Sequence, residues 1–147
     1  MFTIVALYHF TQFENHFDLR EPLQKKCNEL GIRGSLLLAT EGINGTIAGT
    51  SERIEKILCY IKNMPGCADL EYKTSVSKLP PFPRMKVKLK KEIVTMGQPN
   101  IDPKARVGHY IDPSDWNTLV NDPNVVVIDT RNEYEVDIGT FKGAINP

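Results

Sequence analysis

Phe2 to Phe10 is a run of apolar, β-branched and aromatic side chains with little polar alternation, the pattern of a buried strand. Leu19, Leu23, Cys27 and Leu30 then recur at helical spacing. Asp18 or Asn15 is placed to cap that helix, Pro22 fits an early turn, and Gly31 suits a left-handed residue at its end. Ser35 to Thr40 reads as a second strand. The Asn44-Gly45 pair within Glu41 to Gly45 predicts a tight hairpin turn, with Thr46 to Ala48 as the third strand. Thr50 or Ser51 caps a second helix whose apolar stripe is Ile54, Ile57, Leu58 and Ile61, ended by Met64-Pro65-Gly66. Leu70 to Ser77 is extended. Past Pro80, Pro81 and Pro83, the apolar Met85, Val87 and Leu89 alternate with Lys86, Lys88 and Lys90, a strand with one buried and one wet face.

The order over residues 1–96 is βαββαβ, an α+β domain of the ferredoxin-like, split βαβ kind with two helices on one face of an antiparallel sheet. Gly97 to Pro103 is dense in turn formers, so residues 97–108 are expected to form a linker. A second pattern occupies 109–147. Asp112-Pro113-Ser114-Asp115 opens a helix carrying Trp116, Leu119 and Val120, and Val125 to Ile128 is apolar enough for a central parallel strand. These residues are expected to be the start of an α/β domain.

Apolar residues make up 41% and charged residues 24% of the chain, a balance that supports a packed core rather than disorder. Eighteen basic and eighteen acidic residues cancel, so any anion binding must come from a local patch rather than from a global field. The apolar N-terminus lacks the basic flank of a signal peptide, and no apolar run is long enough to span a bilayer; a cytoplasmic protein is expected. Without a secretory signal, the glycosylation pattern at Asn44-Gly45-Thr46 carries no weight. Cys27, Cys59 and Cys67 have neither CxxC spacing nor an even count, which argues for reduced thiols and against a zinc site. Cys27 and Cys59 fall on helices as ordinary semi-buried side chains, while Cys67, after Pro-Gly, is expected to be more exposed. His9, His16 and His109 have no ligand spacing, so no metal is assigned.

From Val125 the chain reads VVVIDTRNEYEVDIGTFKGAINP, which resembles the opening of a rhodanese domain. Together with EGINGTIAG from Glu41, PRMKVKLKKEIVTMG from Pro83 and DPSDWNTL from Asp112, the chain resembles the rhodanese-related tRNA uridine hydroxylases. That resemblance implies an enzyme forming 5-hydroxyuridine at the tRNA wobble position, with molecular oxygen as co-substrate, tRNA rather than DNA as partner, and no further cofactor evident. It also implies an essential loop cysteine in a motif close to Cys-Thr-Gly-Gly-Ile-Arg-Cys, which none of the three cysteines here matches; the reactive residue is therefore expected beyond Pro147, and this stretch alone is expected to be inactive. A rhodanese-type sulfurtransferase acting through a cysteine persulfide, and a non-catalytic RNA- or protein-binding module, remain open as alternatives.

The candidate tRNA contacts are Arg84, Lys86, Lys88, Lys90 and Lys91, in the segment from Lys78 to Lys91 that contains no acidic residue. They read equally as a phosphate-tracking patch or as a charged edge strand that resists aggregation. Arg84, in a proline-fixed turn, is the most specific of them because a guanidinium grips phosphate with two hydrogen bonds. Glu41 and Asn44 are candidates for a substrate-facing loop, although the hairpin turn accounts for that segment without a ligand. Asp129 and Arg131 match the rhodanese Asp-x-Arg and are expected to brace the reactive loop from behind. Tyr8, Phe10, Phe13 and Phe17 are expected in the core rather than on a base-stacking sheet. With little to complete a sheet around Val125 to Ile128, a homodimer or strand exchange is expected.

Overall fold

The computed structural model describes residues 1–94 and 108–147. The chain divides into two compact units, Met1–Ala105 and Arg106–Pro147. The expected linker, 97–108, lies outside the described residues except for Gly108.

In the first unit, strands β1 (Phe2–Phe10), β2 (Arg33–Ala39), β3 (Gly42–Gly49), β4 (Tyr72–Ser77) and β5 (Met85–Leu89) form one sheet in the order β4-β1-β3-β2-β5. Helix α1 (His16–Glu29) joins β1 to β2, and α2 (Ser51–Lys62) joins β3 to β4. β1 to β4 complete the expected βαββαβ order. β5 is added beside β2, in parallel, so the sheet is mixed rather than wholly antiparallel.

Strand alternation sends Val5, Leu7, Leu36, Leu38, Ile43, Ile47 and Val87 to one face, where they are almost completely buried. Leu23 and Cys27 of α1 and Ile54, Ile57 and Ile61 of α2 cover that face. Gly31 ends α1 at φ +61°, a conformation that glycine adopts without steric cost. The Gly31 amide then donates to the Asn28 carbonyl at 2.9 Å and the Ile32 amide to the Cys27 carbonyl at 2.8 Å, a double closure of the helix end. Asn15 and Thr50 occupy the N-cap positions of the two helices without a side-chain capping bond.

The hairpin turn falls at Thr40-Glu41, not at Asn44-Gly45: Ala39 pairs with Gly42, and Asn44 and Gly45 lie inside β3. The glycine at 45 serves a close approach. A methyl group there would collide with the Ser35 carbonyl and stand 2.9 Å from Leu36 Cα, so β2 and β3 could not pair at this spacing.

The second unit contains α3 (Pro113–Val120), with Asp112 at the N-cap and Pro113 in its first turn, and the single turn α4 (Glu133–Val136), started by an Asn132/Glu135 capping box. Val125 to Ile128 does not form the expected strand. Ile128 makes one parallel bridge to Ile145, and with no further pairing Val126 and Ile128 stay 66% and 58% exposed. Trp116 and Phe141 pack together at a ring separation of 4.9 Å.

Candidate nucleic-acid interface

β5 is the outer strand beside β2, and its edge is closed from behind by α1. The Val87 amide donates to Gln24 Oε1 at 2.8 Å, and Arg20 Nε donates to the Val87 carbonyl at 3.2 Å. These bonds satisfy backbone groups that an edge strand would otherwise present to another chain. Arg84 immediately precedes β5, and its carbonyl accepts the Gly34 amide at 2.9 Å, which fixes the backbone that carries its guanidinium.

Because Val87 points into the core, Lys86 and Lys88 point to the opposite, helix-free face of the sheet. Lys86 pairs with Ser35 and Lys88 with Leu37 in the β2–β5 register. Arg84, Lys86 and Lys88 line a shallow cavity of about 180 Å³ with Gly34, Ser35 and Phe82. Lys90 and Lys91 do not join them. They follow β5, where the Lys90 amide reaches the Leu38 carbonyl at 2.8 Å, and line a separate hollow of about 560 Å³ with His16 and Phe17. The sequence-selected cations thus fall into two groups.

Glu41 and Asn44 both engage the chain beyond β5. Glu41 Oε1 accepts the Ile93 amide at 2.6 Å, and Asn44 Nδ2 donates to the Ile93 carbonyl at 2.8 Å. Ile93 is buried by this double clamp. Their spacing, one residue on the turn and one on the third position of β3, places the two polar side chains on the two successive peptide groups that flank Ile93.

Of the four aromatics expected in the core, only Phe13 is fully there. Tyr8 is 45% and Phe17 66% exposed, and Phe10 is half-buried. Alternation along β1 explains Tyr8: Val5 and Leu7 take the core side, so Ala6 and Tyr8 must take the other. Tyr8 lines a second cavity of about 530 Å³ on that face with Ala6, Asn44, Thr46 and Lys73. The strand period contained this placement, but an unbroken apolar run hid which side faced the helices.

All three cysteines are free thiols. Cys67 is fully buried, contrary to the expected exposure, because the turn after α2 folds it back under the sheet with Met64 and Leu70. Burial pushes the Cys27 thiol up to about 12 and the Cys67 thiol up to about 11, so neither supplies a thiolate near neutral pH. Cys59 is exposed. His16 is buried, and its Nδ1 has no hydrogen-bond partner. Among the described residues, no three His, Cys, Asp or Glu side chains gather closely enough to hold a metal ion, and no helix is long and apolar enough to cross a membrane.

In the second unit, Asp129 and Arg131 form a two-pronged ion pair, with Arg131 Nε 2.9 Å and Nη2 2.6 Å from the carboxylate. Nη2 also donates to the Gly139 carbonyl at 2.7 Å, and Thr140 Oγ1 donates to Asp129 at 2.7 Å. The Arg131 hydrogen bonds, then that of Thr140, hold the Asp129 carboxyl well below the usual carboxylate range. The pair therefore ties the end of the 125–128 segment to the turn at 139–140.

Comparison with known proteins agrees over most of the chain. The UPF0176 acylphosphatase like domain matches residues 2–93. A Gluconobacter oxydans protein named tRNA uridine(34) hydroxylase is 62% identical over 144 residues, which cover 98% of this chain and 46% of that protein. A Roseobacter denitrificans protein of the same name is 54% identical over 147 residues, covering 100% of this chain and 50% of its own length. The chain spans about half the length of the curated relatives it matches. Among solved structures, a bacterial light-regulated adenylyl cyclase has the same fold over 60% of this chain and 28% of its own, at 18% identity and a TM-score of 0.50. With its sheet, its two covering helices and the clamped residue Ile93 all inside the matched span, the chain belongs to the UPF0176 acylphosphatase like domain family.

Proposed function

We propose that this chain is the amino-terminal part of a tRNA uridine(34) hydroxylase, and that its first unit holds the tRNA while a rhodanese-type segment beyond Pro147 supplies the reactive cysteine. The observation that carries this reading is the 62% and 54% identity, across nearly the whole chain, to relatives bearing that name. Chemistry supports the division of labour. Hydroxylation at C5 of uridine needs an activated oxygen and a reactive group, whereas the thiols at Cys27 and Cys67 are buried and protonated at neutral pH. Molecular oxygen is the co-substrate in this reading, and the cell compartment is the cytoplasm, where tRNA is at hand.

Arg84, Lys86, Lys88, Lys90 and Lys91 are the phosphate contacts, distributed over the two cationic hollows on either side of β5. Glu41 and Asn44 serve substrate placement indirectly, by fixing Ile93 and hence the course of the chain as it leaves the sheet. Asp129 and Arg131 brace the start of the rhodanese-like unit, 109–147, behind its reactive loop.

The test is binding of unmodified tRNA at two salt concentrations, beside a variant with Arg84, Lys86, Lys88 and Lys90 changed to Ala. Salt-sensitive binding that the variant loses is expected, with the slope of log affinity against log salt shrinking by about 0.7–0.9 per phosphate contact removed. Equal binding by both proteins would move tRNA capture off this strand. For the activity itself, loss of 5-hydroxyuridine from the wobble position after deletion of the gene, read by nucleoside mass spectrometry, is the expected result.

A further inference from the structure

The helix-free face of the sheet carries an ordered row that crosses all five strands. The pairing registers place Lys86, Ser35, Thr46, Ala6 and Lys73 side by side on β5, β2, β3, β1 and β4. The next row holds Lys88, Leu37, Asn44 and Tyr8. Neither row contains a carboxylate, although the chain as a whole has as many acidic as basic residues. Cations thus stand at the two edges, about 19 Å apart at four strand spacings, over a floor of small and hydroxylated side chains. Tyr8 rises from the neighbouring row with nearly half its surface exposed.

We infer that this face is a platform for a short single-stranded segment of RNA, with Tyr8 stacking one base and with Lys73 and the Arg84/Lys86/Lys88 notch holding phosphates at its two sides. The inference rests on the tRNA reading above and specifies where that RNA would lie and in what form. A base has a flat face that an exposed phenol ring receives, and each phosphate brings the negative charge that Lys73 and the Arg84/Lys86/Lys88 notch attract. Ser35 and Thr46 add hydroxyl groups along the floor, while the Asn44 amide, held by the Ile93 carbonyl, bounds it on the side of the second row. A duplex does not suit the site, because its bases are already stacked and its width exceeds a trough floored by side chains as short as Ala6. Glu71 at the rim of the Tyr8 cavity narrows the path on that side and favours the backbone passing over Lys73. A sheet of this width seats roughly two or three bases.

The experiment measures fluorescence anisotropy of a labelled, unstructured short RNA with the 147-residue chain and three variants, while ring resonances of Tyr8 are followed in the unsubstituted chain. Tyr8→Ala is expected to weaken binding roughly fivefold to a hundredfold and Tyr8→Phe to restore it. Lys73→Ala is expected to lower the salt slope by about 0.7. The Tyr8 ring signals should shift on adding RNA, a readout that needs no substitution and no assumption about how the variants fold. Unmoved ring signals, wild-type affinity in Tyr8→Ala, or equal competition by an RNA duplex would each overturn the platform while leaving tRNA capture at β5 intact. No RNA binding by the unsubstituted chain would overturn both.

Discussion

At the scale of single residues, burial decides which groups are chemically available. Cys27 and Cys67 pack in the core with thiols raised to about 12 and about 11, whereas Cys59 lies on the outer surface of α2. An alkylating reagent at mildly alkaline pH is therefore expected to modify Cys59 alone in the folded chain, and all three thiols only after denaturation. Intact-mass measurement distinguishes one adduct from three; rapid native labelling at a second site would mean that the core opens far more often than its packing implies. Asp129 poses the opposite case. Its carboxyl is depressed from an ordinary value of 3.8, so its contribution to the second unit is full above that value and is lost as pH falls toward its lower folded value. On acidification the Asp129 signal is expected to stay that of a carboxylate when exposed carboxyls have already titrated. Asp129→Asn should abolish this difference and release the 139–140 turn, seen as faster amide exchange there.

At the scale of elements, several features are legible in the sequence itself. The α1 and α2 stripes, the β5 alternation and the Gly31 stop each follow from periodicity and from one left-handed residue. The hairpin shows where such reading fails. Asn44-Gly45 carries the composition of a turn, but Gly45 is required because β2 passes against it, and sequence alone does not separate a bend from a close approach. Gly45→Ala is expected to cost about 3 kcal/mol in urea unfolding, since the clash is with backbone and no rotamer relieves it. The Glu41–Ile93–Asn44 clamp was illegible for another reason: its partner lies 52 residues away along the chain from Glu41, and a backbone amide leaves no mark in a sequence. Glu41→Ala leaves that buried amide unsatisfied, so a loss of about 1–3 kcal/mol of local stability is expected, with exchange at Ile93 accelerating while the central strand β3 stays protected. Uniform acceleration through β3 would instead mean that the clamp supports the whole sheet. Tyr8 combines both lessons, because its side of the strand was fixed by the period but assigned only once the helices showed which face they cover.

At the scale of the whole molecule, the two units differ in how much they bury. The first has a continuous core reaching from Val5 to Val87, while no described residue of the second is buried. A unit of this size has little surface to remove from water and normally relies on a partner surface, a metal or covalent links. Val126, Ile128, Ile138, Phe141 and Ile145 all remain more than half exposed. The edge of the first sheet at β5 is closed by Gln24 and Arg20, so it offers little to a second copy. β4, the other edge, stays open, but the second unit gathers more exposed apolar surface, so self-association of the chain is expected to run through it, with the Ile128–Ile145 pair as its open edge. Sedimentation equilibrium at rising concentration is expected to show dimers, and Ile128→Thr with Ile145→Thr to shift the population to monomer without changing the thermal midpoint of the first unit. A strictly monomeric chain at the highest concentration would sink this expectation. It would mean that the exposed side chains of the second unit are too scattered to make a contact between copies, and that their burial calls for a surface of different shape.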